Sequence, residues 1–208
     1  MHNKVQLFIF LLMFLGSSHG DPMTWEEITD PGFIPRRSSL EHEIYQQRKA
    51  EIAALGKLPE HIVLEEVFGL SEQQANYCFS HLCGQEFRMV INSFPYWIEA
   101  NTVHLLLFSN WCDWNEGLLV EMSKQLLREK LPEISRNDRY AVSFRINKPE
   151  HRSVKGLAHA HIFIRDKGRP VNIHRRVKSL SFSKPGKIPV SWPDNKRRLL
   201  SNSRLLLH

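Results

Sequence analysis

Two histidines stand two residues apart in the stretch GLAHAHIFI, Gly156 to Ile164. In an extended strand alternate side chains share a face, so His159 and His161 emerge together, in one row with Leu157 and Phe163. Paired imidazoles suit metal binding or phosphate chemistry. The neutral ring is a ligand and a usable nucleophile, and the protonated ring meets phosphate as a cation. The pair is equally compatible with rings that bond neighbouring backbone groups and simply pack. A third histidine, His104, lies in the strand-like stretch VHLLLF, and polar residues gather at strand ends: Asn92, Asn147, Arg152 and Ser153. Loops at the ends of a rigid sheet commonly present binding groups, and Arg152 with Ser153 suits an anion. As ordinary turn residues, Asn92 and Asn147 would instead bond their own backbone.

These residues need a scaffold. FRMVINSFPYW from Phe87 and TVHLLLFSN from Thr102 are rich in strand-favouring residues, with turn chemistry between them, and read as adjacent antiparallel strands. Leu118, Met122 and Leu126, with Leu119, Leu127 and Leu131 beside them, predict a helix that ends before Pro132. RYAVSFRIN alternates as a strand, and LAHAHIFIRD supplies another after the loop KPEHRSVKG. Upstream, Thr24 and Glu27 form a candidate capping box. Ser38 or Ser39 caps a helix in which Leu40, Ile44, Ile52 and Leu55 keep helical spacing up to Gly56, and Pro59 opens a shorter one that ends at Gly69. The plan is α+β: a mainly antiparallel sheet with flanking helices.

The chain has 208 residues and a net charge of +6, unevenly spread. From Arg165 onward there are twelve Lys or Arg against two Asp or Glu, so a mildly acidic body precedes a basic tail. The expected organisation is a secretory signal peptide over 1–20, one domain over 21–166, and a basic, poorly ordered tail over 167–208. The apolar run Val5 to Leu15 is short for a bilayer span, so a cleaved leader is expected, with a secreted protein as the main reading and a cytoplasmic one as the alternative. The tail's charge is of the kind that attracts nucleic acid or an anionic surface. Cys78, Cys83 and Cys112 are odd in number and lack metal-site spacing; Cys78 has either of the others as a partner, or all three are free thiols.

TWEEI, RSSLEHEIYQQRKAEI, VINSFPYWIEANTVHLLLFS and FRINKPEHRSVKGLAHAHIFI resemble, in order, the N-acetylglucosamine-induced protein family, an uncharacterised eukaryotic group. The resemblance runs from about Trp25 to Ile164 and falls on Asn92, Pro95, Tyr96, His104, Asn147, Ser153, Val154, His159 and His161. More distantly, NSFP, VHLLLF, the long helix, RIN, RSV and HAHIF are similar to the histidine-triad proteins and their nucleotidyltransferase relatives. That likeness implies a histidine-triad-like sheet, His161 as nucleophile toward a phosphorylated small molecule, and His159, Asn147 and Ser153 as helpers, with Asn92, His104 and Arg152 among the substrate-binding set. Phe163 stands where that pattern has its third histidine, Arg152 where it has Gln, and three further residues separate the turn from His159. No cofactor is called for. The alternatives are a zinc site on His104, His159 and His161, which no carboxylate or thiolate completes, and a non-enzymatic binding module whose tail recruits an anionic partner. N-terminal sequencing of protein made in a secreting host should begin at Asp21; Met1 retained would overturn the leader reading.

Overall fold

The computed structural model describes residues 20–79, 83–168, 173–175 and 177. The alternation read in HAHIFIRD forms strand β4 (His159–Asp166), which lies inside the sheet. The strands β1 (Phe87–Ile91), β2 (Thr102–Ser109) and β3 (Tyr140–Arg145) join it in the order β1-β2-β4-β3, every pair antiparallel. The fold is therefore α+β around a four-stranded antiparallel sheet, as the strand and helix periods predict.

The two faces of the sheet do different work. Val103, Leu105 and Leu107 of β2 meet Ala160, Ile162 and Ile164 of β4 in one buried cluster with Leu119 and Leu127 of helix α5 (Glu116–Lys130). Before α5 come α1 (Trp25–Thr29), α2 (Ser39–Ala54), α3 (Pro59–Glu66) and α4 (Glu72–Phe79); the short α6 (Pro132–Ser135) follows it. Leu64, Phe68, Ala75 and Cys78 from the α3–α4 region pack with Phe108 and Leu157, while Met23, Ile28 and Tyr96 pack with Phe163. Because Phe108 and Phe163 belong to the opposite rows of β2 and β4, α1, α3 and α4 cover the face that carries His159 and His161.

Caps hold the helices where the sequence places them. Thr24 with Glu27 and Ser38 with Glu41 both form reciprocal capping boxes, and Pro59 occupies the first turn of α3. In α2, however, the Leu40, Ile44 and Leu55 stripe points outward, at 65%, 47% and 65% exposure, and Ile52 alone is buried. The inward face is made instead by Tyr45, Arg48, Lys49 and Ile52, which wall a cavity. Helix α4 is an element the apolar period did not disclose, since its buried residues are just Ala75 and Cys78.

Cys78 is bridged to Cys83, with Cα atoms 4.9 Å apart, and Cys112 stands outside this bridge. Ile173 and Val177, from the stretch read as tail, are buried in the main cluster. The remainder of that stretch, and the leader before Gly20, lie outside the described residues. No helix among the described residues is long and apolar enough to cross a membrane.

Ile162 has no exposed surface and sits on the α5 side of the sheet, away from the histidine row. Ile162→Ala should lower the unfolding free energy by about 2–5 kcal/mol, read by urea titration, with the opposite face left in place.

Candidate functional site

Register brings the histidines together. His104 pairs with Phe163 and Leu106 with His161, so His104 and His161 are diagonal neighbours on one face, and His159 lies opposite Phe108. His104 Nε2 and His161 Nδ1 are 2.9 Å apart. Both rings are buried, and Phe163 stacks on His104 with centroids 4.4 Å apart. Phe163 thus supplies an apolar plate beneath the His104 ring.

The surrounding backbone fixes which ring nitrogens carry protons. Phe94 donates its backbone N–H to Asn92 Oδ1 at 3.0 Å, which turns the Asn92 amide nitrogen toward His104 Nδ1 at 3.1 Å. The Tyr96 backbone N–H also points at His104 Nδ1, at 3.4 Å. The Asn92 amide nitrogen is also 3.4 Å from Nε2, so the Tyr96 N–H decides the role of Nδ1: it accepts, and the neutral ring holds its proton on Nε2 and donates it to His161 Nδ1. His161 in turn carries its proton on Nε2, 3.5 Å from Tyr96 Oη. Asn147 donates to the same hydroxyl oxygen at 2.7 Å. His159 has the other arrangement: Nδ1 lies 3.0 Å from the Leu157 carbonyl and donates to it, so Nε2 keeps its lone pair.

A cavity of about 520 Å³ opens against this row. His159, His161, Asn92, Arg152 and Ser153 line it. His104 and Asn147 are buried behind it, where they orient His161 and Tyr96. Two of the residues expected at the substrate site thus lie behind the cavity wall rather than in it. Arg152 is held by its own contacts, with Nε donating to the Asn147 carbonyl at 2.8 Å and its guanidinium 3.6 Å from the Trp114 ring centroid. Behind its loop, the buried Glu60 accepts the Gly156 N–H at 2.7 Å, and a Cβ at Gly156 would stand 2.9 Å from Phe79. Only glycine lets the loop lie that close to α3 and α4.

Sequence reasoning missed Arg37, Tyr45, Tyr96 and Trp114 as parts of this place. Arg37 precedes α2 and lies over Tyr45 and Tyr96, at 4.2 and 5.2 Å from the ring centroids, in the cavity wall. Tyr96, and the stretch RSSLEHEIYQQRKAEI that opens on Arg37 and contains Tyr45, were visible as parts of the family-like pattern, but not as parts of one site.

Electrostatics follows from burial. Burial, helped by the Arg37 charge, pushes His104 down to about 3. Burial pushes His159 down to about 4, against the Leu157 carbonyl, which favours its protonated form. Burial and then the neighbouring His104 and His159 hold His161 well below the ordinary imidazole range. Burial also raises the Tyr96 phenol. All three rings are neutral at pH 7. Among the described residues no group of three or more His, Cys, Asp or Glu is arranged to hold a metal ion. In this arrangement His104 offers a metal no free lone pair, since its Nδ1 accepts from the Tyr96 N–H and its Nε2 faces His161.

The family model described as "Protein of unknown function (DUF3605)" matches residues 34–165, which takes in both the cavity wall and the histidine row. The chain belongs to this family. The crystal structure of HTC1 is similar to it with a TM-score of 0.52 and 23% identity, covering 76% of this chain and 92% of that one. At that identity the likeness speaks to the fold alone. No curated protein matches the chain.

Three rings kept neutral make stability depend on pH. The unfolded chain protonates them near pH 6.5 and the folded chain does so only at or below about 4 for His159 and about 3 for His104, so unfolding takes up protons between those limits. Urea unfolding should therefore show stability falling as pH drops from about 6.5 toward 4, with no contribution from these rings above that window. His159→Gln should make the fall between pH 6 and 5 shallower.

Proposed function

We propose that the cavity binds a phosphorylated small molecule and that His159 is the ring that acts on it. The observation that carries this reading is the division of labour in the row. Arg152 and Ser153 offer donors for phosphate oxygens, the Nε2–H of His161 offers another, and His159 Nε2 alone among these imidazole nitrogens keeps an uncommitted lone pair. The histidine-triad likeness assigned the nucleophile to His161. A nucleophilic His161 Nε2 would require its proton on Nδ1, and His104 would then have to hold a proton on the nitrogen that already faces the Asn92 amide and the Tyr96 N–H. The hydrogen bonds favour the reverse distribution, with His159 as nucleophile or base and His161 as donor. A phosphate bound beside His159 would raise the pKa of that ring from about 4, because an opposite charge favours the imidazolium.

The kinship with the N-acetylglucosamine-induced group and the histidine-triad-like sheet belong to this proposal, supported by the order of the motifs in the chain. So does a secretory location, on the strength of the apolar leader, with the basic tail as an added attraction for anionic partners. A second reading, binding without turnover, is favoured by Phe163, which puts a ring without a proton at the third histidine position.

Calorimetry with AMP and with a sugar nucleotide, followed by product analysis, tests both. Binding is expected, weakened about tenfold or more in Arg152→Ala, as for a lost charged hydrogen bond. Turnover, where it occurs, should vanish in His159→Ala with binding retained. Turnover that survives in His159→Ala and disappears in His161→Ala restores the original assignment. Absence of binding by either compound removes the anion-site reading.

A further inference from the structure

The cavity wall is built of two unlike kinds of side chain. Arg37, in that wall, is a guanidinium with no ion pair among the described residues, and its Nε is buried there without a hydrogen-bond partner. Arg48, also in the wall, is already engaged by Glu51 and Glu66. A half-buried cation stacked on Tyr45 and left without a counter-charge is a standing demand for an anion. Arg152 lines the same cavity, and among the described residues its terminal nitrogens have no hydrogen-bond partner. Of the two wall carboxylates, Glu66 is bound by Arg48, and Glu150 is exposed to solvent.

Another part of the wall is aliphatic. Val63 and Val67 of the α3 region pack with Val90 of β1 and Leu106 of β2, Ile62 lines the same cavity, and these side chains have no hydrogen-bonding atom. A nucleobase or a sugar laid against them would lose its water contacts without replacement, which disfavours it. A hydrocarbon chain loses nothing there and leaves water. A volume of about 520 Å³ is within the range of about 300–1,000 Å³ typical of small-molecule sites.

We propose that the ligand is an amphiphilic phosphate, its head held between Arg37 and Arg152 and its aliphatic body lying along the α3, β1 and β2 wall. This rests on the anion-site reading above and narrows it to a substrate class.

Calorimetry on the full chain with inorganic phosphate and with ethyl, butyl, hexyl and octyl phosphate, below their aggregation limits, tests it against AMP. Affinity should rise about fourfold for each added methylene until the wall is covered. Val63→Asn should flatten that rise and leave inorganic phosphate binding unchanged, while Arg37→Gln should weaken every member by a similar factor. A flat series with phosphate still bound, or AMP bound more tightly than every alkyl phosphate, overturns the amphiphile and leaves the anion site standing. If not even inorganic phosphate binds, both readings fall together.

Discussion

The hydrogen bond between His104 and His161 is the constraint on which this site depends. It joins two side chains that register has made diagonal neighbours across β2 and β4, and it does so with both rings out of water. Burial excludes charge from either ring, and a neutral imidazole has one donor and one acceptor. Once the backbone at Tyr96 has decided the role of a single nitrogen in His104, every later proton in the chain is decided as well. A local turn thus sets the chemistry of a strand more than fifty residues away.

The sheet makes this possible by keeping its faces apart. Stability resides mostly on the α5 side, where Leu105, Leu107, Ile162 and Ile164 are closely packed aliphatics. The opposite side tolerates polar groups because α1, α3 and α4 cover it incompletely and leave a cavity under the inner face of α2. Phe163 is the point of contact between the two roles, being a core residue that supports His104 and Tyr96 at the same time.

Much of this was legible in the chain. Alternation gave β3 and β4, and the four-residue spacing of leucines gave α5, because one buried face imposes one period. The histidine row was legible for the same reason. The inward face of α2 was not, since its apolar stripe of Leu40, Ile44 and Leu55 faces solvent while an amphipathic set, Tyr45, Arg48 and Lys49, turns in to line empty space. A rule that equates apolar with inside cannot find a cavity wall. Nor does composition distinguish a residue that lines a cavity from one buried behind it, which is why His104 and Asn147 were grouped with Asn92 and Arg152. Proton positions depend on contacts between residues distant in sequence, so the relative roles of His159 and His161 emerge only in three dimensions.

Trp114 gives the site an optical property of its own. Its indole lies under the Arg152 guanidinium and edge-on to His159, with ring centroids 5.0 Å apart. Any event that charges that imidazole or draws the arginine away alters the electric field across the indole, and with it the colour and yield of ultraviolet emission. The fold has thus placed a chromophore whose emission follows the charge of His159 and the position of Arg152.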